Sequence, residues 1–212
     1  MDSKSQHQMK RSLREAFEYR GCLICQVLDR EESDFMATLQ YQAFKEEKVR
    51  QDVVLANGYC NFHFHQMARM ASPTGMAILT KELIDVEIKE IERDSFGEAL
   101  RVDCPVCKYV GEREESCIKE FRDFLSEKSF QKEYEATDGL CRIHLKRVLN
   151  MLEQSELHQF ILASHLMHLK LLKVQLETFI SKGRSTRDFK EEKDSWWVAI
   201  EKMAGKKGLK VF

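Results

Sequence analysis

The chain has 212 residues, with 34 Lys and Arg against 35 Asp and Glu, a formal charge of −1 and a pI near 6.7. That near-neutral balance supplies no global electrostatic drive toward nucleic acid or an anionic membrane. With 43% hydrophobic and 33% charged residues the composition fits neither a disordered tail nor a membrane-embedded protein. No stretch reaches about 18 uncharged apolar residues, and the most apolar run, Phe160 to Leu172, carries His165, His168 and Lys170.

The segment Met1 to His7 has no apolar signal core, which predicts a cytoplasmic protein. Proline occurs only at Pro73 and Pro105, strand-like alternation is absent, and apolar residues recur every three or four positions, so the chain is predicted to be all-α. A first helix is expected from about Ser5 to Tyr19, with Leu13, Ala16 and Phe17 on its apolar side and Gly21 as its stop. Cys22 and Cys25 then stand at the turn into a second helix, whose inward face would carry Val27, Leu28, Phe35, Leu39 and Phe44. A return segment with Val49, Val53 and Leu55 runs to Asn57-Gly58, after which Cys60 and His63 open another helix. Ser72-Pro73 reads as a cap with proline in the first turn of a helix reaching about Arg93, whose face is Met76, Leu79, Leu83, Val86, Ile88 and Ile91. Ser95 to Asp103, containing Gly97, is the expected mid-chain loop.

The order then recurs. Cys104 and Cys107 precede an outgoing face of Val110, Ile118, Phe121, Phe124 and Leu125; Ser129 is the expected N-cap of a return helix with Phe130 and Tyr134; Asp138-Gly139 leads into Cys141 and His144. From Arg142 to Lys182 there is neither Gly nor Pro, enough for one long helix or two joined near Gln154-Ser155. Its predicted apolar stripe is Leu162, Leu166, Leu169, Leu172, Leu176 and Ile180, ending at Gly183. A polar linker is expected over Lys182 to Asp194. Trp196, Trp197, Ile200 and Met203 predict a short final helix docking on the body and ending at Ala204-Gly205, before a basic tail from Lys206 to Lys210. The organisation is one all-α domain over 1–212, built of two repeats (about 13–72 and 96–152), a linking helix (73–94) and C-terminal helices (153–205).

The cysteines decide the chemistry. Seven is an odd number, and in a chain read as cytosolic a disulfide framework is a poor expectation. Cys22-x2-Cys25 is followed 34 intervening residues later by Cys60-x2-His63, and Cys104-x2-Cys107 is followed 33 intervening residues later by Cys141-x2-His144. Each second pair lies behind a glycine, in Gly58-Tyr59-Cys60 and Gly139-Leu140-Cys141. The pattern repeats at an offset of about 82 residues, the mark of an internal repeat. An x2 spacing sets two side chains on one side of a turn or helix start, and two such pairs supply the four ligands of a tetrahedral site. Buried inert thiols and a thioredoxin-like dithiol are the competing readings, but neither accounts for the Cys-x2-His pairs. Taken in chain order, the quartets are Cys22, Cys25, Cys60 and His63 for the first site, and Cys104, Cys107, Cys141 and His144 for the second. Each repeat then reads as a helical hairpin with its two ends clasped by one ion in a Cys3His site.

Other residues are set aside. Cys117 lacks a counterpart in the first repeat and lies ten residues past Cys107, so it reads as a structural thiol. His63 is favoured over His65 because His144 has the same offset from its cysteine while position 146 is lysine. His158, His165 and His168 fall near one helical face without the Glu-x-x-His order of a di-iron site. The basic tail has no interleaved aromatic residues and gives no nucleic-acid signal.

Cys104-Pro105-Val106-Cys107, the Glu114-Glu115 helix and Asp138-Gly139-Leu140-Cys141-x2-His144 resemble an uncharacterised prokaryotic family of unknown function with twin C-P-x-C…G-L-C-x2-H motifs. Trp196 to Gly205, in the order W-x2-A-x-E-x3-G, is similar to that family's closing segment, and the resemblance runs from about Leu13 to Leu209. Leu23 replaces a usual proline and Tyr59 a usual leucine; neither substitution removes a ligand. The resemblance implies the same ligand assignment and a prokaryotic origin, and no substrate.

There is no Gly-rich phosphate loop, nucleophile elbow or His-Glu-x-x-His. A closed four-ligand zinc shell leaves no position for water or substrate. The expected function is therefore non-catalytic: two zinc ions hold a helical interaction or scaffold module for a protein partner, without membrane association. The alternative is two [4Fe-4S] clusters for electron transfer or redox sensing, with histidine tuning the potential. Reversible zinc release on thiol oxidation is a third reading.

Overall fold

A computed structural model describes residues 3–93, 102–153, 155–182 and 192–206. These form ten helices and no strand: α1 (Ser3–Ala16), α2 (Leu23–Lys45), α3 (Glu47–Leu55), α4 (Asn61–Met70), α5 (Pro73–Glu92), α6 (Pro105–Phe124), α7 (Lys128–Glu135), α8 (Arg142–Leu152), α9 (Glu156–Lys182) and α10 (Ser195–Ala204). The expected mid-chain loop from Ser95 to residue 101, with Gly97, lies outside the described residues, and so does Gly183, the expected stop of the long C-terminal stretch. So do Gln154, most of the expected polar linker and the basic tail beyond Lys206. No described helix is long and apolar enough to cross a membrane.

Local chemistry explains the boundaries. Ser72 caps α5 by accepting a 3.0 Å hydrogen bond from the Gly75 amide, with Pro73 in the first turn, as the sequence predicts. Ser129 is not a cap: α7 starts two residues after Ser126, with Glu127 at its N-cap, and Ser129 lies within the helix. The stretch after Arg142 divides into α8 and α9. The break comes at Glu153, which takes φ of 48°, and Ser155 receives the His158 amide at 3.3 Å to start α9.

The chain forms two compact units, Met1–Asp29 with Glu114–Phe212, and Arg30–Arg113. The boundary passes through α2 and α6 rather than between the sequence repeats. In the first unit, α1, the start of α2, the end of α6, α7, α8 with the turn before it, and α9 supply a core of Leu13, Ile24, Leu28, Phe121, Phe130, Tyr134, Leu140, Val148 and Ile161, all essentially inaccessible to solvent. Phe121 meets Phe130 and Tyr134 edge-on, with centroids 5.8 and 5.5 Å away. Burying each such side chain is worth about 1.5–3 kcal/mol. In the second unit, Met36, Leu39, Val53, Met67, Leu79, Val106 and Val110 form the core, with Phe35 stacked on Tyr109 at 4.0 Å.

Several predicted faces turn the other way. Phe44, Leu55, Ile88 and Ile91 are exposed. On α9 the expected stripe is partly outward, with Leu162, Leu166 and Ile180 exposed, while Ile161, Ser164, His165, His168 and Leu172 form the buried row. In α10, which packs on α8 and α9, the buried side chains are Ser195, Val198, Glu201 and Lys202, and Trp196, Trp197, Ile200 and Met203 face outward. Lys202 is satisfied inside by donating to the Asp138 carbonyl. Glu201 accepts from Trp197 Nε1 at 3.0 Å.

Candidate metal centres

All eight predicted ligand residues converge, but with exchanged partners. The first unit gathers Cys22, Cys25, Cys141 and His144; the second gathers Cys60, His63, Cys104 and Cys107. The in-order quartets, Cys22/Cys25/Cys60/His63 and Cys104/Cys107/Cys141/His144, are therefore corrected: each Cys-x2-Cys pair meets the Cys-x2-His pair of the other repeat.

Backbone contacts between turns give the physical reason. The Asp138 carboxylate accepts from the Gly21 amide and the Arg20 guanidinium, both at 2.7 Å, and the Leu23 amide reaches the Gly139 carbonyl at 3.4 Å. These bonds pin the turn before Cys22 to the turn before Cys141. In the second unit the Asp103 amide donates to the Ala56 carbonyl at 3.1 Å, joining the turn before Cys104 to the turn before Cys60. Gly21, Gly58 and Gly139 make the tight entries possible, with φ of 96°, 82° and 73°.

Each pair opens a helix. Cys60 and Cys141 are the N-caps of α4 and α8, in extended backbone, and His63 and His144 are the third residues of those helices. Cys22 and Cys104 immediately precede α2 and α6. An x2 step from cap to third position keeps both side chains on one side of the first turn, and the positive helix N-terminus favours thiolates there.

The donor atoms are spaced as one small ion requires. His144 Nδ1 lies 3.4 Å from Cys22 Sγ and 3.3 Å from the Sγ atoms of Cys25 and Cys141; Cys25 and Cys141 Sγ are 3.9 Å apart. His63 Nδ1 lies 3.3 Å from the Sγ atoms of Cys60, Cys104 and Cys107, and the Cys60–Cys107 sulfur separation is 3.6 Å. All four donors in each group lie within 4.8 Å of one another. A tetrahedron with metal–sulfur bonds of about 2.3 Å and metal–nitrogen bonds of about 2.0–2.1 Å has edges of about 3.8 Å and about 3.5 Å, which these groups match.

The two groups differ in surroundings. The Cys22 group is wholly buried, whereas Cys60 and Cys107 are half-buried. In the second group burial opposes charge, yet the His63 contact draws the Cys104 thiol down to about 6; His63, also opposed by burial, is pushed up to about 9 by the Cys104 and Glu32 contacts. Burial and the Cys60 contact push Cys107 up to about 12. In the first group Cys22 falls well below the usual thiol range despite burial, through its contacts with Cys141 and Cys25, while Cys25 rises through those with Cys141 and Cys22. A metal cation bound by these groups would displace the protons that their thiols and imidazoles hold.

Cys117 is buried in the first unit's core and is outside both groups; His65 is exposed and outside them too. His165 and His168 are buried on α9, where His168 Nε2 lies 3.1 Å from the Glu135 carbonyl, and join neither centre. Two buried carboxylates were not singled out as site residues in the sequence: Glu32 Oε1 lies 3.4 Å from His63 Nε2, and Glu114 Oε1 lies 3.1 Å from His144 Nε2. A signal was present, because each falls seven residues after the second cysteine of its Cys-x2-Cys pair.

No curated protein and no solved structure matches the chain. Residues 8–99, which carry Cys22, Cys25, Cys60 and His63 but stop short of Cys104, match a family of unknown function (DUF6062).

Proposed function

We propose that this chain is a non-catalytic, zinc-stapled helical protein that presents its surface to a protein partner. The carrying observation is the geometry of the two Cys3His groups, whose donor separations suit a single ion with four protein ligands and no open position. The same short edges weigh against a [4Fe-4S] centre, whose irons and sulfides would have to fit inside the shell. The matching order of helices, with α2–α5 of 23, 9, 10 and 20 residues and α6–α9 of 20, 8, 11 and 27, supports descent of the two halves from one duplicated unit.

The outward row on α10, Trp196, Trp197, Ile200 and Met203, supports an interaction role. Exposed aromatic and aliphatic residues in one row are costly in water unless a partner covers them, and the packed side of this helix is the polar one. Metal analysis with an absorption spectrum, on protein prepared without oxygen, tests the assignment. A colourless protein with two zinc ions per chain supports it. A brown protein carrying iron and acid-labile sulfide overturns it.

A further inference from the structure

We infer that Glu32 and Glu114 are positioning residues for the two histidine ligands. The inference rests on the metal reading above. In both groups Nδ1 faces the three sulfurs, so Nε2 carries the ring proton and points away from the ion. A carboxylate oxygen lies beside Nε2 in each case, Glu32 Oε1 at 3.4 Å from His63 Nε2 and Glu114 Oε1 at 3.1 Å from His144 Nε2. Both Nε2 atoms are buried and make no aligned hydrogen bond, so these carboxylates are the acceptors within reach. All four side chains are buried, with relative exposures of 4% or less. A buried carboxylate loses its hydration unless a cation or an N–H compensates. Glu114 is shared with Arg147, whose Nη1 lies 2.5 Å from Oε1. Glu32 has no such cation in its ion-pair contacts, and its Oε2 is buried without a hydrogen-bond partner.

The placement is reciprocal. Helix α2 begins at the thiols of the Cys22 group and, seven residues past Cys25, supplies Glu32 to the histidine of the other group. Helix α6 begins at the thiols of the Cys60 group and, seven residues past Cys107, supplies Glu114 to His144. A carboxylate that receives Nε2–H fixes the tautomer and ring orientation and makes Nδ1 a better donor, and loss of such a partner lowers metal affinity by about 10–100-fold.

The test is a zinc competition titration against a chromophoric chelator on the full chain, with histidine side-chain 1H–15N spectra of the zinc-loaded protein. Wild type should bind two zinc ions and show slowly exchanging Nε2 protons on His63 and His144. Glu114→Ala should weaken one ion by about 10–100-fold and release the His144 Nε2 proton to fast exchange, leaving the His63 signal. Glu32→Ala should do the converse. Glu114→Gln and Glu32→Gln, which keep an acceptor oxygen, should recover most of the affinity. Unchanged affinity and unchanged proton signals in both alanine variants, with wild type still binding two ions, would overturn the role of the glutamates. So would equal weakening of both ions by one variant, because a general loss of structure is not positioning. Wild type that binds no zinc would instead overturn the metal reading itself.

Discussion

Cys25 and Cys141 are 116 positions apart in the chain, yet their sulfurs lie 3.9 Å from each other. The contact joins the opening motif of the first repeat to the closing motif of the second. Cys60 and Cys107 make the matching contact across 47 positions at 3.6 Å.

The two centres should not lose metal together. Both thiols Cys60 and Cys107 are half-buried, while every ligand of the Cys22 group is buried. A chelator in excess should therefore remove one ion rapidly and the second at least tenfold more slowly. Time-resolved native mass spectrometry should show a persistent one-zinc species, and thiol alkylation of that species should label Cys60, Cys104 and Cys107 first. A single release phase with no one-zinc species would contradict this order.

Cys117 should be silent in metal binding. Its side chain is fully buried among apolar residues and belongs to neither group. Cys117→Ala should keep two ions per chain and cost about 1–2 kcal/mol through the small void it leaves, read as a lower urea midpoint. Loss of an ion from this variant would show that a ligand has been misassigned.

The eight residues of the two Cys3His groups were legible in the sequence because x2 spacing is a local property, set by one helical turn. Their partnership was not. Either pairing joins two thiols to a Cys-x2-His pair, and the choice is made by the Asp138 bonds to Arg20 and Gly21 and by the Asp103–Ala56 bond, which no spacing encodes. The all-α class was equally legible from periodicity, whereas the buried side of α9 and α10 was not. Both helices carry apolar residues around much of their circumference, and His165, His168, Glu201 and Lys202 occupy buried positions that a hydrophobic pattern assigns to leucine or tryptophan. Glu32 and Glu114 were missed because each acts on a histidine brought near only by the tertiary fold.

Gly139 and Gly111 should respond oppositely to alanine. Gly139 has φ of 73°, and an added Cβ would collide with His168 Nδ1; Gly111 lies within α6 and an added Cβ there meets nothing within 4 Å. Gly139→Ala should cost about 1–3 kcal/mol, and Gly111→Ala should gain about 0.5–1 kcal/mol. For a chain of this size that is a fall of roughly 2–12 °C in Tm against a rise of roughly 1–4 °C, read by calorimetry. The same sign for both would mean that the turn before Cys141 is not held as described.

Acid should destabilise the first unit through His165. Burial, the Lys202 charge and His168 together hold its pKa down to about 4, below an ordinary value of 6.5. The unfolded chain therefore binds the proton first. Stability is intact above pH 6.5, falls as pH drops through the interval from 6.5 to 4 and levels below it. His165→Asn should flatten that interval by on the order of 2 kcal/mol in urea titrations. An unchanged slope would show that His165 is not held neutral.

The crossed partnership is tested most directly by proton–cadmium correlation spectroscopy on protein loaded with cadmium-113, because couplings pass through the ion to each of its ligands. Two cadmium resonances are predicted. One should correlate with protons of Cys22, Cys25, Cys141 and His144, the other with protons of Cys60, His63, Cys104 and Cys107. A resonance that links Cys22 or Cys25 to Cys60 or His63 would contradict the account.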